Sequence, residues 1–122
     1  MTAAVVFAHG SSVDAANEAI REIAARLQDA SGVVAEAAFL ELAHPDLTEI
    51  TAALVERGAT RIVVLPYFLA PGVHLQRDLP RIMDELSRIH TGVRIMAAPG
   101  LDGHPGLLNI LLDRLRDAEA KL

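Results

Sequence analysis

Two periods of hydrophobic residues alternate along the chain. Residues 3–8, AAVVFA, form an unbroken apolar run, as a strand covered on both faces requires. Val13, Ala16, Ile20, Ile23, Ala24 and Leu27 then recur at spacings of three and four, which predicts one face of a helix. Ser12 stands where it would cap that helix, and Gly32 follows its end. Residues 33–40 read as a second strand. Pro45 suits the first turn of a second helix, with Leu47, Ile50 and Leu54 inward and Gly58 closing it. Residues 61–66, RIVVLP, are the clearest strand. A longer connection over 67–77 contains Pro71 and Gly72. The helix after it takes Asp78 as its cap, tolerates Pro80 in its first turn and buries Ile82, Met83, Leu86 and Ile89. Residues 93–97 form a fourth strand, 100–105 a loop, and 107–122 a closing helix with Leu108, Leu111, Leu112 and Leu115 inward.

The order β-α-β-α-β-α-β-α predicts a parallel sheet with helices on both faces. Right-handed crossovers reduce the topologies to a flavodoxin-like, three-layer α/β domain whose four-stranded sheet has the order 2-1-3-4. No linker, low-complexity tract or internal repeat interrupts it, and 122 residues make a single domain spanning 1–122.

Composition sharpens this picture in three ways. Aromatic residues are only 3% of the chain against 52% hydrophobic residues overall, so Val, Ile, Leu and Ala must fill the core. The absence of cysteine excludes disulfides, thiolate metal sites and cysteine nucleophiles. Eleven basic against 16 acidic residues give a net charge of −5, which argues against a nucleic-acid partner. No apolar run approaches the ~20 residues that span a membrane, and the N-terminus opens into a strand without a basic leader, so the expected compartment is the cytoplasm.

Ligands of open α/β sheets bind beyond the carboxyl ends of the strands. There the sequence places His9-Gly10-Ser11 after the first strand and Glu41 and His44 after the second. His74, Gln76 and Arg77 follow the third, and Asp102 and His104 the fourth. Four of the five histidines thus share one edge; His90 alone does not. Strands one and three are neighbours in the expected order, so His9 and His74 can converge on one ion, with Glu41 from the other flank completing the site or acting as a base. Imidazoles with a carboxylate suit Fe²⁺, Co²⁺, Ni²⁺ or Zn²⁺, while Mg²⁺ and Ca²⁺ prefer oxygen. Plainer readings stand beside these. A histidine after a strand often caps the next helix, which applies to His9, His104 and above all His44. His90 suits a helix C-terminus, and Glu41 suits a solvated loop. No G-x-G-x-x-G, phosphate-binding G-x-x-x-x-G-K-[ST] or G-x-S-x-G element is present.

His9-Gly10-Ser11, Phe39-Leu40-Glu41, Pro66-Tyr67-Phe68-Leu69, Gly72-Val73-His74 and Asp78-Leu79-Pro80 together resemble the class II chelatases. The similarity is to their small CbiX-type sirohydrochlorin chelatases and covers essentially the whole chain. The resemblance implies insertion of a divalent metal substrate (Co²⁺ or Fe²⁺, or Ni²⁺ in related proteins) into sirohydrochlorin, a tetrapyrrole, with no organic cofactor. It places the metal on His9 and His74 and the acidic group on Glu41. Substrate contacts fall to Ser11, Ser12, Tyr67, Arg77 and His104. It further implies a homodimer enclosing the flat macrocycle. Arginine often follows H-G-S in relatives, and Ser12 stands there instead; Asn17 fits the pattern. Because the substrate carries several carboxylates and the chain is acidic, local cations (Arg77 and Arg81) and helix N-termini must supply the attraction. A non-catalytic metal or tetrapyrrole carrier has the same site residues, and a structural subunit completed by another partner is the third reading.

Overall fold

The computed structural model describes residues 1–70 and 72–122, the side chain of His74 excepted, so Pro71 lies outside the described residues. Eight elements alternate: β1 (Thr2–Ala8), α1 (Asp14–Ser31), β2 (Val34–Phe39), α2 (Leu47–Glu56), β3 (Arg61–Pro66), α3 (Val73–Ile89), β4 (Arg94–Ala97) and α4 (Pro105–Glu119). The four strands form one sheet in the order β2-β1-β3-β4, all parallel. The expected α/β topology is therefore the observed one.

Strand position explains each strand's composition. β1 is central, and Ala3 to Ala8 are all buried because helices cover both of its faces. Val5 and Phe7 point to one side, where Leu54, Ile62, Val64, Leu75 and Leu86 complete a core beneath α2 and α3. Val6 and Ala8 point to the other, where Ala24 of α1 packs with Ala37 and Phe39. α2 begins at Asp46, which forms a reciprocal capping box with Glu49: the Asp46 carboxylate accepts from the Glu49 N–H at 2.8 Å, and Glu49 Oε1 accepts from the Asp46 N–H at 3.0 Å. Pro45 therefore precedes the helix instead of occupying its first turn.

Three other expectations change. α3 starts at Val73 with Gly72 as N-cap, a turn and a half before Asp78, and Pro80 sits inside it. Proline favours a first turn, but Leu75 is 6% exposed, and burying it extends the helix upstream of that local preference. Position 74, Gln76, Arg77 and Asp78 are thus helical and not loop residues. At α1, Val13 is the N-cap and Ser12 makes no capping bond; Val13, Ala16 and Ile23 are exposed despite their spacing. Ile89 is likewise exposed.

The largest difference is α4. Its periodicity predicted an inward stripe, yet it has no buried residue. Leu108, Leu111 and Leu115 are 62%, 66% and 57% exposed, and only Leu112 of the expected four is partly covered. No residue of α4 enters either core cluster among the described residues. No helix of the described residues is long and apolar enough to cross a membrane.

Candidate functional site

The site grows from the in-register ends of β1 and β2. Ala8 lies opposite Phe39, and the ladder continues one step beyond the strands: Leu40 N–H donates to the Ala8 carbonyl at 2.9 Å and Glu41 N–H to the His9 carbonyl at 3.0 Å. His9 and Glu41 therefore leave the sheet side by side. Gly10 makes this approach possible. Its φ is +93°, and a Cβ built on it would lie 1.8 Å from the Glu41 carbonyl oxygen. Only a residue without a side chain lets the two loops touch.

The loop after Gly10 is held from below. Asn17 is 5% exposed and is one of two buried polar residues among those described. Its side-chain oxygen accepts from the Ser11 N–H at 2.9 Å, and its amide donates to the Ser11 carbonyl at 2.8 Å. Ser11 Oγ in turn accepts from the Val13 N–H at 3.0 Å. Asn17 thus closes the first turn of α1 onto the segment that carries His9, a role in which the hydroxyl of Ser12 has no part.

With this frame set, His9 Nε2 lies 3.1 Å from Glu41 Oε1, and both side chains are 57% exposed. The Gly10 carbonyl lies 3.0 Å from His9 Nδ1. A carbonyl and a carboxylate both only accept, so each ring nitrogen faces an acceptor: Nδ1 the Gly10 carbonyl and Nε2 the Glu41 carboxylate. Sequence spacing put His9 and Glu41 on one edge, and the structure brings them into contact. They border a cavity of about 630 Å³ whose wall also includes Leu40, Phe68, Leu75 and Asp78. Phe68 and Leu75 separate it from a smaller apolar cavity of about 260 Å³ between α3 and the ends of β3 and β4.

Asp78 is the member that sequence reasoning misassigned, as a cap. Arg77 Nε and Arg81 reach its carboxylate at 3.5 Å each, so two mostly exposed guanidinium groups flank Asp78, while neither arginine lines the cavity itself. The signal was available: positions 74 and 78 are one helical turn apart once α3 is extended upstream. His74 itself lies in the first turn of α3, but its side chain lies outside the described residues, so its convergence on His9 remains an expectation.

The remaining candidates lie elsewhere on the edge. Tyr67 is half-exposed; its N–H donates to the Phe7 carbonyl at 2.7 Å, and it lines a different cavity, on the α1 side. His104 is the N-cap of α4, with Nδ1 accepting from the Gly106 N–H at 2.9 Å. His44 pairs with Glu49 at 2.7 Å, and that contact raises its pKa, so it supports the cap of α2 without being the cap residue. No group of three or more metal-ligating His, Asp or Glu side chains occurs among the described residues.

Against known proteins, the CbiX family model matches residues 3–118. The chain belongs to the CbiX family. A sirohydrochlorin cobaltochelatase of Methanopyrus kandleri is 29% identical over 139 aligned positions, covering 97% of each chain. A chloroplastic sirohydrochlorin ferrochelatase of Arabidopsis thaliana is also 29% identical, over 92% of this chain but 50% of its own length. This CbiX chain therefore spans half of the plant relative and nearly all of the archaeal one. Among solved structures, a CbiX protein of Marinobacter aquaeolei VT8, assigned to cobalamin (vitamin B12) biosynthesis, superimposes with a TM-score of 0.87 at 29% identity over 100% of both chains.

Proposed function

We propose that this chain is a cytosolic metal chelatase that inserts Co²⁺ or Fe²⁺ into sirohydrochlorin as a homodimer. The observation that carries the reading is the His9–Glu41 pair, 3.1 Å apart at the strand-carboxyl edge and more than half open to solvent. The names of the CbiX relatives supply the substrate class.

The chemistry follows from what each atom can do. With Nδ1 donating to the Gly10 carbonyl, His9 would offer its Nε2 lone pair to a divalent ion once the ion displaces the proton that Nε2 shares with Glu41. His74, one turn before Asp78 on α3, is the second proposed ligand. An open site with two protein nitrogens leaves the remaining positions to water, so the ion is held weakly enough to be passed on. Insertion releases two pyrrole N–H protons; Glu41 accepts one and water the other, while the two electrons of each N–M bond come from the ring nitrogens. The apolar wall of Phe68 and Leu75 suits the macrocycle face. Arg77 and Arg81 supply positive charge for its carboxylates, which an acidic chain needs locally.

Anaerobic mixing of the purified chain with sirohydrochlorin and Co²⁺, Fe²⁺ or Ni²⁺ tests this by the absorbance change of the ring. Insertion faster than the protein-free rate, lost in His9→Ala and His74→Ala and reduced in Glu41→Gln, is expected. Binding of ring and metal without acceleration by any of the three ions would make the chain a carrier and overturn the enzyme reading.

A further inference from the structure

We propose that Asp78 is a reserve carboxylate for the metal site, held back by Arg77 and Arg81 and released when the carboxylates of the ring draw those arginines away. It rests on the chelatase reading and adds an order of events to it: the docked ring tightens the hold on the ion.

The charges around the larger cavity are already committed. His9, Glu41 and Asp78 are the ionisable residues of its described lining, and neither carboxylate is free. Glu41 Oε1 lies 3.1 Å from His9 Nε2, and Asp78 Oδ1 lies 3.5 Å from both Arg77 Nε and Arg81 Nη2. The two pairs differ in where the cation stands. The partner of Glu41 is part of the cavity wall, whereas the partners of Asp78 are outside it. An anion that binds the arginines therefore changes the charge facing the ion without entering the cavity.

Helix geometry puts Asp78 on the border between these two settings. Leu75 stands three residues before it, on the same face of α3, and both line the cavity. Arg77 and Arg81, four residues apart, form the next row of the helix surface, on the flank of Asp78 away from Leu75. A rotation of the Asp78 side chain is enough to exchange one neighbour for the other. The backbone here is also held less tightly. Pro80 has no N–H, so the Gln76 carbonyl lacks its helical donor in the turn that carries Asp78.

The contacts that restrain Asp78 are weak ones. The arginine side chains are 69% and 74% exposed against 26% for Asp78, so an anion in solvent reaches them directly. At 3.5 Å both contacts exceed the ~2.7–2.9 Å of a strong charge-assisted bond, and exposed pairs of this kind hold loosely. A ring carboxylate that meets a guanidinium in two parallel bonds displaces them. The freed Asp78 oxygen then turns to the ion, whose remaining positions are held by water, and oxygen suits Co²⁺ or Fe²⁺ beside imidazole. A carboxylate ~5 Å from a divalent ion strengthens its binding on the order of ten-fold at low salt. By linkage the ion strengthens ring binding by the same factor.

Co²⁺ titrated anaerobically into the purified full chain at low salt, followed by calorimetry, tests the latch. Arg77→Gln/Arg81→Gln imitates the ring-bound state and is expected to bind Co²⁺ on the order of ten-fold tighter than wild type. In an Asp78→Asn background the same two changes should gain about two-fold or less. Loss of repulsion from the arginines alone is additive and gives equal gains in both backgrounds; equal gains overturn the proposal. Asp78→Asn alone should leave the ring-free Co²⁺ affinity within about two-fold of wild type while raising the Co²⁺ KM for insertion into sirohydrochlorin about ten-fold. Equal losses in both measurements show that Asp78 acts before the ring arrives and overturn the latch. Far-UV circular dichroism verifies that each variant is folded. His9→Ala separates the two levels. Co²⁺ binding that ignores His9→Ala overturns the proposed metal site and the latch with it, whereas binding that needs His9 but shows equal arginine gains overturns the latch alone.

Discussion

Replacing Asn17 removes the clamp under the His9 segment, and its cost follows from the geometry. Asn17→Ala deletes two hydrogen bonds of 2.9 and 2.8 Å and leaves the half-buried Ser11 N–H and carbonyl without those partners. Each bond contributes about 1 kcal/mol net, and an unpaired, partly desolvated backbone group costs about as much again, so a total of about 2–3 kcal/mol is expected. For a domain of this size that lowers the melting temperature by about 10 °C. Asn17→Asp separates the two bonds. It keeps the oxygen that accepts from Ser11 N–H but places a carboxylate oxygen, in place of a donor, against the Ser11 carbonyl, so it should destabilise nearly as much as alanine. Thermal unfolding followed by circular dichroism gives the stabilities, and ring-metallation rates under saturating metal show whether His9 is displaced along with the loop. If Asn17→Asp melts with wild type, or Asn17→Ala costs less than about 0.5 kcal/mol, the clamp is not what holds this segment.

Three further outcomes are expected. Gly10→Ala should cost more than the ~1–2 kcal/mol of a left-handed backbone position, because its Cβ must also push Glu41 away, and the proposed chelatase activity should fall with stability; urea unfolding alongside turnover measures both, and unchanged turnover would contradict the contact. Thr51 is fully buried and its hydroxyl has no hydrogen-bond partner among the described residues, so Thr51→Val should raise stability by about 1 kcal/mol in urea unfolding, and a loss would reveal a hidden partner. The pair at the start of α2 should make stability depend on pH. Hydrogen bonding to Glu49 raises His44 above its ordinary 6.5, so its contribution is complete below that value and fades as pH climbs through the raised one. The Asp46 N–H, and then His44, lower Glu49 below 4.5, so its contribution is complete above 4.5 and is lost as pH falls through the lowered value. The cap is then strongest between the two ordinary values, and His44→Gln should remove the alkaline limb; parallel melting curves for the two proteins from about pH 5 to 8 would refute this.

Much of this architecture was legible in the chain itself. The unbroken run of β1, the helical spacings after it and the strict alternation of elements determined a parallel sheet of order 2-1-3-4. The sheet in turn placed His9 and Glu41 on one edge, because period and topology are set by local chemistry and chain connectivity. Spacing alone did not reveal which polar groups meet. The Glu41 carbonyl against Gly10, the Asn17 clamp and Asp78 beside the arginines depend on how neighbouring loops pack, and that contact is non-local. The start of α3 was misread because a local rule for proline competed with burial of Leu75, and burial prevailed. The periodicity of α4 was read correctly as an apolar stripe, but a stripe states only that a surface needs covering. Whether the cover comes from the same chain is decided by where the helix is carried in space, and only the tertiary structure shows α4 standing apart from its own sheet.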